Sequence, residues 1–107
     1  MKLNEMCSRE KGWFHLLYEN NEYISVKIGQ YTHTRNYDLE DIAHNKNLMT
    51  DTLEIMGVGE NICSVFDKKK YEEWSEDCGE NHILMSWFPA EKLPTLLKEV
   101  EKKNITE

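Results

Sequence analysis

The sequence predicts an α+β fold, a small antiparallel or mixed sheet of about four strands with two helices packed on it. Three observations carry that expectation. Aliphatic residues alternate with polar ones from Tyr23 to Tyr31, the mark of a strand with one buried face. Apolar residues recur at spacings of three, four and seven from Leu39 to Met56, the mark of an amphipathic helix. Uninterrupted apolar residues fill Ile83-Leu84-Met85, as in a strand buried on both faces.

The elements follow in order. Residues 1–11 are polar and mixed in charge before Gly12 and read as a loose lead-in. Trp13 to Tyr18 is aromatic and apolar, and Tyr23 to Tyr31 sets Ile24, Val26 and Ile28 on one face. The two form a hairpin, with Asn20-Asn21 supplying the positive backbone angles of a tight turn. Asp38 can cap a helix through Leu39, Ile42, Ala43, Met49, Leu53 and Met56, stopped by Gly57 and weakened at Asn45-Lys46-Asn47. Ile62 to Phe66, rich in β-branched and aromatic residues, reads as a third strand. Tyr71 to Cys78 holds too few apolar residues to pack as a helix and reads as an acidic loop or turn. His82 to Trp87 is the fourth strand. Pro94 suits the first turn of a helix from Pro94 to Lys103 with Leu96, Leu97 and Val100 inward, and residues 104–107 form a frayed tail.

A chain of 107 residues that is 39% hydrophobic and 31% charged fits a single domain, residues 1–107, able to build a core without disulfides or metals. No run approaches the roughly 20 apolar residues of a membrane span, and the N-terminus lacks the apolar centre of a signal peptide. Cys7, Cys63 and Cys78 are odd in number and widely spaced, which fits reduced thiols. A cytoplasmic protein is expected.

The net charge of −7 is unevenly held: residues 38–60 carry −5 and residues 71–81 another −5, while residues 1–37 carry +1. The only basic run is Lys68-Lys69-Lys70, so direct binding of nucleic acid is not expected. Acid gathered in short segments is instead suited to a basic protein. In Tyr71 to Asn81 the carboxylates Glu72, Glu73, Glu76, Asp77 and Glu80 surround Trp74 beside Tyr71 with no basic residue among them. The expected partner-binding surface is therefore acidic, with Tyr71 and Trp74 as aromatic anchors, unless Trp74 folds inward and leaves only a charged rim. Asp38, Glu40 and Asp41 make a secondary acidic face.

Motifs of reaction chemistry are weak. Cys78 and His82 are four residues apart and Cys63 could lie on a neighbouring strand, but no second close pair completes a zinc site, so no metal or cofactor is expected. Thr32-His33-Thr34-Arg35 reads as a polar turn before it reads as an anion-stabilising loop, and Gly57-Val58-Gly59 lacks the lysine and third glycine of a phosphate loop.

The closing stretch Ser86-Trp87-Phe88-Pro89-Ala90-Glu91-Lys92-Leu93-Pro94-Thr95-Leu96-Leu97-Lys98-Glu99-Val100 resembles the tryptophan, proline and amphipathic-helix ending of small bacterial immunity proteins of contact-dependent and polymorphic toxin systems. The resemblance covers the last third of the chain and implies a cytosolic, non-enzymatic inhibitor that binds one cognate toxin. The acidic surface adds that this toxin is basic, as a nuclease would be. The alternatives are a phage-encoded inhibitor that mimics nucleic-acid charge, and a small cytosolic enzyme using His33 or Cys78. An exposed hydrophobic strand edge in so small a sheet would also support a homodimer.

Overall fold

The computed structural model describes residues 1–10, 12–28 and 51–105. These form a six-stranded sheet and two helices: β1 (Leu3–Glu10), β2 (Trp13–Tyr18), β3 (Tyr23–Lys27), β4 (Thr52–Val58), α1 (Glu60–Phe66), β5 (Ser75–Gly79), β6 (His82–Pro89) and α2 (Leu93–Lys102). Every strand pair is antiparallel, and the order across the sheet is β1-β2-β3-β4-β6-β5. The α+β class is as expected, but the sheet has six strands where about four were predicted.

Register explains how one face became the core. Leu16, Ile24, Gly57 and Ile83 stand opposite one another across β2, β3, β4 and β6, and Phe14, Val26, Ile55 and Met85 form the next row. Ile62, Val65 and Phe66 of α1 and Leu96 and Val100 of α2 close over these rows in a single buried cluster. Gly57 sets how near α1 can lie. A Cβ there would sit 2.7 Å from Phe66 Cε2 and 2.8 Å from Ile62 Cγ2, so only a residue without a side chain lets the helix rest on the sheet.

The hairpin of β2 and β3 turns at Glu19–Asn21, where Asn20 and Asn21 take φ of 65° and 58°, as the sequence suggested. Its last turn residue has a structural task that the sequence does not announce. Glu22 is only 4% exposed, and its carboxylate accepts hydrogen bonds from Asn61 Nδ2 at 2.7 Å and from the Ile62 amide at 2.9 Å. It therefore caps α1 from the distant β2–β3 turn, because Gly59, the residue before the helix, brings no side chain to do so. Gly59 also makes the room: at its φ of 120°, a Cβ would lie 2.1 Å from Glu22 Cγ.

Five sequence expectations are corrected. The lead-in is a strand from residue 3 to residue 10, paired with β2. Its polar composition belongs to an edge, where one side meets water. Thr52–Val58 is a strand, not the end of a helix, because Leu53, Ile55 and Gly57 alternate inward between β3 and β6. Glu60–Phe66 is a helix, not a strand, and its buried Ile62, Val65 and Phe66 follow helical spacing. The acidic loop includes the strand β5. Finally, β6 is fully buried on one face only: Ile83, Met85 and Phe88 lie in the core, whereas Trp87 is 47% exposed. A bulge puts it there, since Met85 faces Ile55 but Phe88 faces Leu53. The part of the predicted helix before residue 51, with Asp38, Glu40 and Asp41, lies outside the described residues, as do His33 and His44.

Candidate protein-binding edge

The predicted acidic surface forms around β5, which ends the sheet beyond β6. The chain enters through a short turn at Lys69–Tyr71 and leaves through Glu80-Asn81, where Asn81 takes the positive φ of 55° that the tight return to β6 requires. Asp77 Oδ1 accepts the Gly79 amide at 3.2 Å, and His82 Nδ1 donates to the Glu80 carbonyl at 2.7 Å. These local bonds hold the hairpin tip.

Glu72, Glu73, Glu76, Asp77 and Glu80 are all exposed. They do not share one plane. Asp77 stands opposite Ile83, on the side of the helices, whereas Glu76 stands opposite Leu84, on the other face. Glu72, Asp77 and Glu80 line a cleft of about 540 Å³ together with Lys68, Lys69 and His82. The lysine run that borders the patch is partly drawn away from it, because both Lys68 and Lys70 pair with Glu99 of α2.

The expected aromatic anchors are corrected. Tyr71 is 3% exposed and packs against Phe88 with ring centroids 5.9 Å apart. Its hydroxyl is buried without a hydrogen-bond partner among the described residues, and burial raises its pKa. Trp74 is half-buried and meets the Phe88 ring edge-on at 5.4 Å, with the Lys92 ammonium 5.9 Å from its own ring. Both rings were drawn inward because Phe88 offers them apolar area beneath the turn. What remains outside is the charged rim.

The reactive side chains are dispersed. Cys63 and His82 line the cleft, but burial pushes the Cys63 thiol up to about 11 and its Sγ donates to the Gly57 carbonyl at 3.5 Å, which leaves it protonated near neutral pH. Cys78 is exposed on β5 and Cys7 half-buried on β1. Among the described residues no group of three metal-ligating side chains converges.

Sequence reading missed a second cluster on the sheet face opposite the helices. Trp13 meets His15 edge-on at 5.6 Å, His15 stacks on Tyr23 at 5.1 Å, and the Lys27 ammonium lies 4.5 Å above the Trp13 ring. Burial, with Arg9 nearby, lowers the His15 pKa. The signal was present in the alternation of Trp13 and His15 with Phe14 and Leu16, which sends the two sets to opposite faces.

The chain matches no known protein family, no curated protein and no solved structure. No helix among the described residues is long and apolar enough to cross a membrane.

Proposed function

We propose that this chain is a non-enzymatic immunity protein of the cytoplasm that binds a basic toxin, a nuclease by its charge, through the acidic rim around β5 and blocks the toxin's substrate site. The observation that carries the reading is that all five carboxylates are exposed around one edge strand, while Lys68 and Lys70 are engaged with Glu99. Such a rim projects a net negative field, only partly offset by the neighbouring lysines, which speeds encounter with a basic surface and rejects acidic ones. The lysines and arginines by which a nuclease holds phosphates are the complementary surface. The closing segment's resemblance to immunity proteins supports the same reading.

With Tyr71 and Trp74 packed inward, the rim supplies steering and specificity more than apolar anchorage. The test is capture from the native host with the wild type and with a folded Glu72→Lys, Glu73→Lys, Glu76→Lys variant. The expected catch is a toxin domain, basic in sequence, whose activity the wild type inhibits, and whose association slows steeply between 50 and 500 mM salt, roughly the range over which exposed charges become screened. Equal capture by the variant, or an association rate indifferent to salt, would refute binding at this rim.

A further inference from the structure

The opposite edge of the sheet points to a different partner. β1 is the last strand beyond β2, no strand among the described residues lies on its outer side, and Lys2 to Met6 are all exposed. Leu3 and Met6 are 42% and 64% exposed. They stand opposite Tyr18 and Leu16, so both belong to the helix side, where they line an apolar groove of about 680 Å³ with Leu97 of α2. Exposed edges are ordinarily guarded by proline or by charges that would be trapped on pairing. Between Leu3 and Ser8 the single charge is Glu5, and it lies with Cys7 on the face away from the groove.

We infer that two copies of this chain pair antiparallel through β1, about a two-fold axis at Cys7, to give one sheet continuous across both. The sequence of the edge is complementary to itself in that register. Glu5 falls opposite Arg9 of the second copy and Arg9 opposite its Glu5, so the two-fold forms two opposite-charge pairs and no like-charge pair. Arg9 is on the correct face, since its guanidinium lies 5.7 Å from the Trp13 ring, beside His15. On the helix side Met6 falls opposite Ser8, and the two methionines meet diagonally across the axis. Each then covers apolar surface that the single chain leaves wet. A slip by one residue would place Glu5 opposite Ser8 and lose both charge pairs. Bulges at Asn4 and Arg9 end the regular stretch, so the pairing runs from Glu5 to Arg9 and no further.

The axis brings the two Cys7 residues opposite each other, with Cα atoms about 4.5–5.5 Å apart, inside the range a disulfide bridges. That makes Cys7 a reporter. With oxidised glutathione as oxidant, the two thiols give up two protons and two electrons to form one S–S bond, and the glutathione disulfide leaves as two thiols.

The test uses the full chain with Cys78→Ser, so that Cys7 is the one thiol outside the core. Light scattering after gel filtration should give twice the chain's 12.7 kDa, and oxidised glutathione should convert that species to a covalent dimer that Cys7→Ala abolishes. Met6→Lys should return it to monomer. Glu5→Arg should weaken the dimer by about tenfold, and adding Arg9→Glu should restore it. A monomer at all concentrations up to several hundred micromolar, or a dimer indifferent to both Met6→Lys and Glu5→Arg, would overturn the inference. Capture of a toxin at the β5 rim has no bearing on any of these readouts.

Discussion

Replacing Glu22 by alanine should be among the most damaging single changes on the polar side of this protein. Its carboxylate is the acceptor for the Asn61 amide at 2.7 Å and the Ile62 N–H at 2.9 Å, and it also lies 3.4 Å from Asn20 Nδ2. Asn61 and Ile62 are 1% and 0% exposed, so neither donor has open access to water once the acceptor is gone. A hydrogen bond to a charged group contributes about 1.5–3 kcal/mol, and a stranded buried donor costs about 1–3 kcal/mol. Relief from burying a carboxylate, and water entering the vacated space, offset part of the loss. The net should be about 2–4 kcal/mol, a fall of roughly 8–16 °C in Tm for a domain of this size. Urea denaturation followed by tryptophan fluorescence measures it directly. Glu22→Gln keeps the shape and one acceptor oxygen while turning an NH2 toward a donor, so its loss should be about half that of alanine. If Glu22→Ala stays within about 0.5 kcal/mol of the wild type, or glutamine is worse than alanine, Glu22 does not cap α1 in the manner described.

Two further outcomes follow from buried groups. Tyr71→Phe removes a hydroxyl buried without a partner among the described residues, so stability should be unchanged or rise by up to about 1 kcal/mol; a loss above about 1 kcal/mol in urea denaturation would mean the hydroxyl is bonded. Stability should also fall with rising alkalinity, because the Cys63 thiol ordinarily ionises near 9.0 and in the fold is pushed up to about 11 by burial. Across that interval the unfolded chain releases a proton that the folded chain keeps, a loss of about 2–3 kcal/mol. Tyr18 and Tyr71, also raised by burial from the ordinary 10.0, add a loss of the same sign once the pH passes about 10. Urea midpoints at pH 8 and about pH 10 measure the slope below the tyrosine range, and Cys63→Ala should flatten it; equal midpoints in the wild type would contradict the burial of this thiol.

The hairpin of β2 and β3, the last strand and the last helix were legible because each carries a local signal: Ile24 and Val26 alternate, Ile83 to Met85 is an unbroken apolar run, and Leu96 and Val100 stand one helical turn apart. Thr52 to Phe66 was read in reverse. Leu53 and Met56 continued a helical spacing begun upstream, yet Leu53, Ile55 and Gly57 also alternate, and the partners β3 and β6 decide between the two patterns. Ile62, Val65 and Phe66 have strand-forming side chains at helical spacing, and there the spacing prevailed over propensity. At the candidate site the charges were readable as exposed, since five carboxylates have nowhere to be buried. The orientation of Tyr71 and Trp74 was not, because it depends on Phe88, some fifteen residues downstream. Glu22 offered no local sign of burial, as its partners lie on a segment almost forty residues away.

The alternation of Glu76 and Asp77 between the two faces of β5 constrains the shape of whatever binds there. A flat partner laid against either face would reach one of these carboxylates and miss the other. A concave element, closing over the end of the sheet as a clasp closes over the edge of a page, satisfies both at once. If the proposed reading holds, the recognising surface of the basic partner should be a furrow with cations on both walls, the form in which a nuclease holds a strand of its substrate.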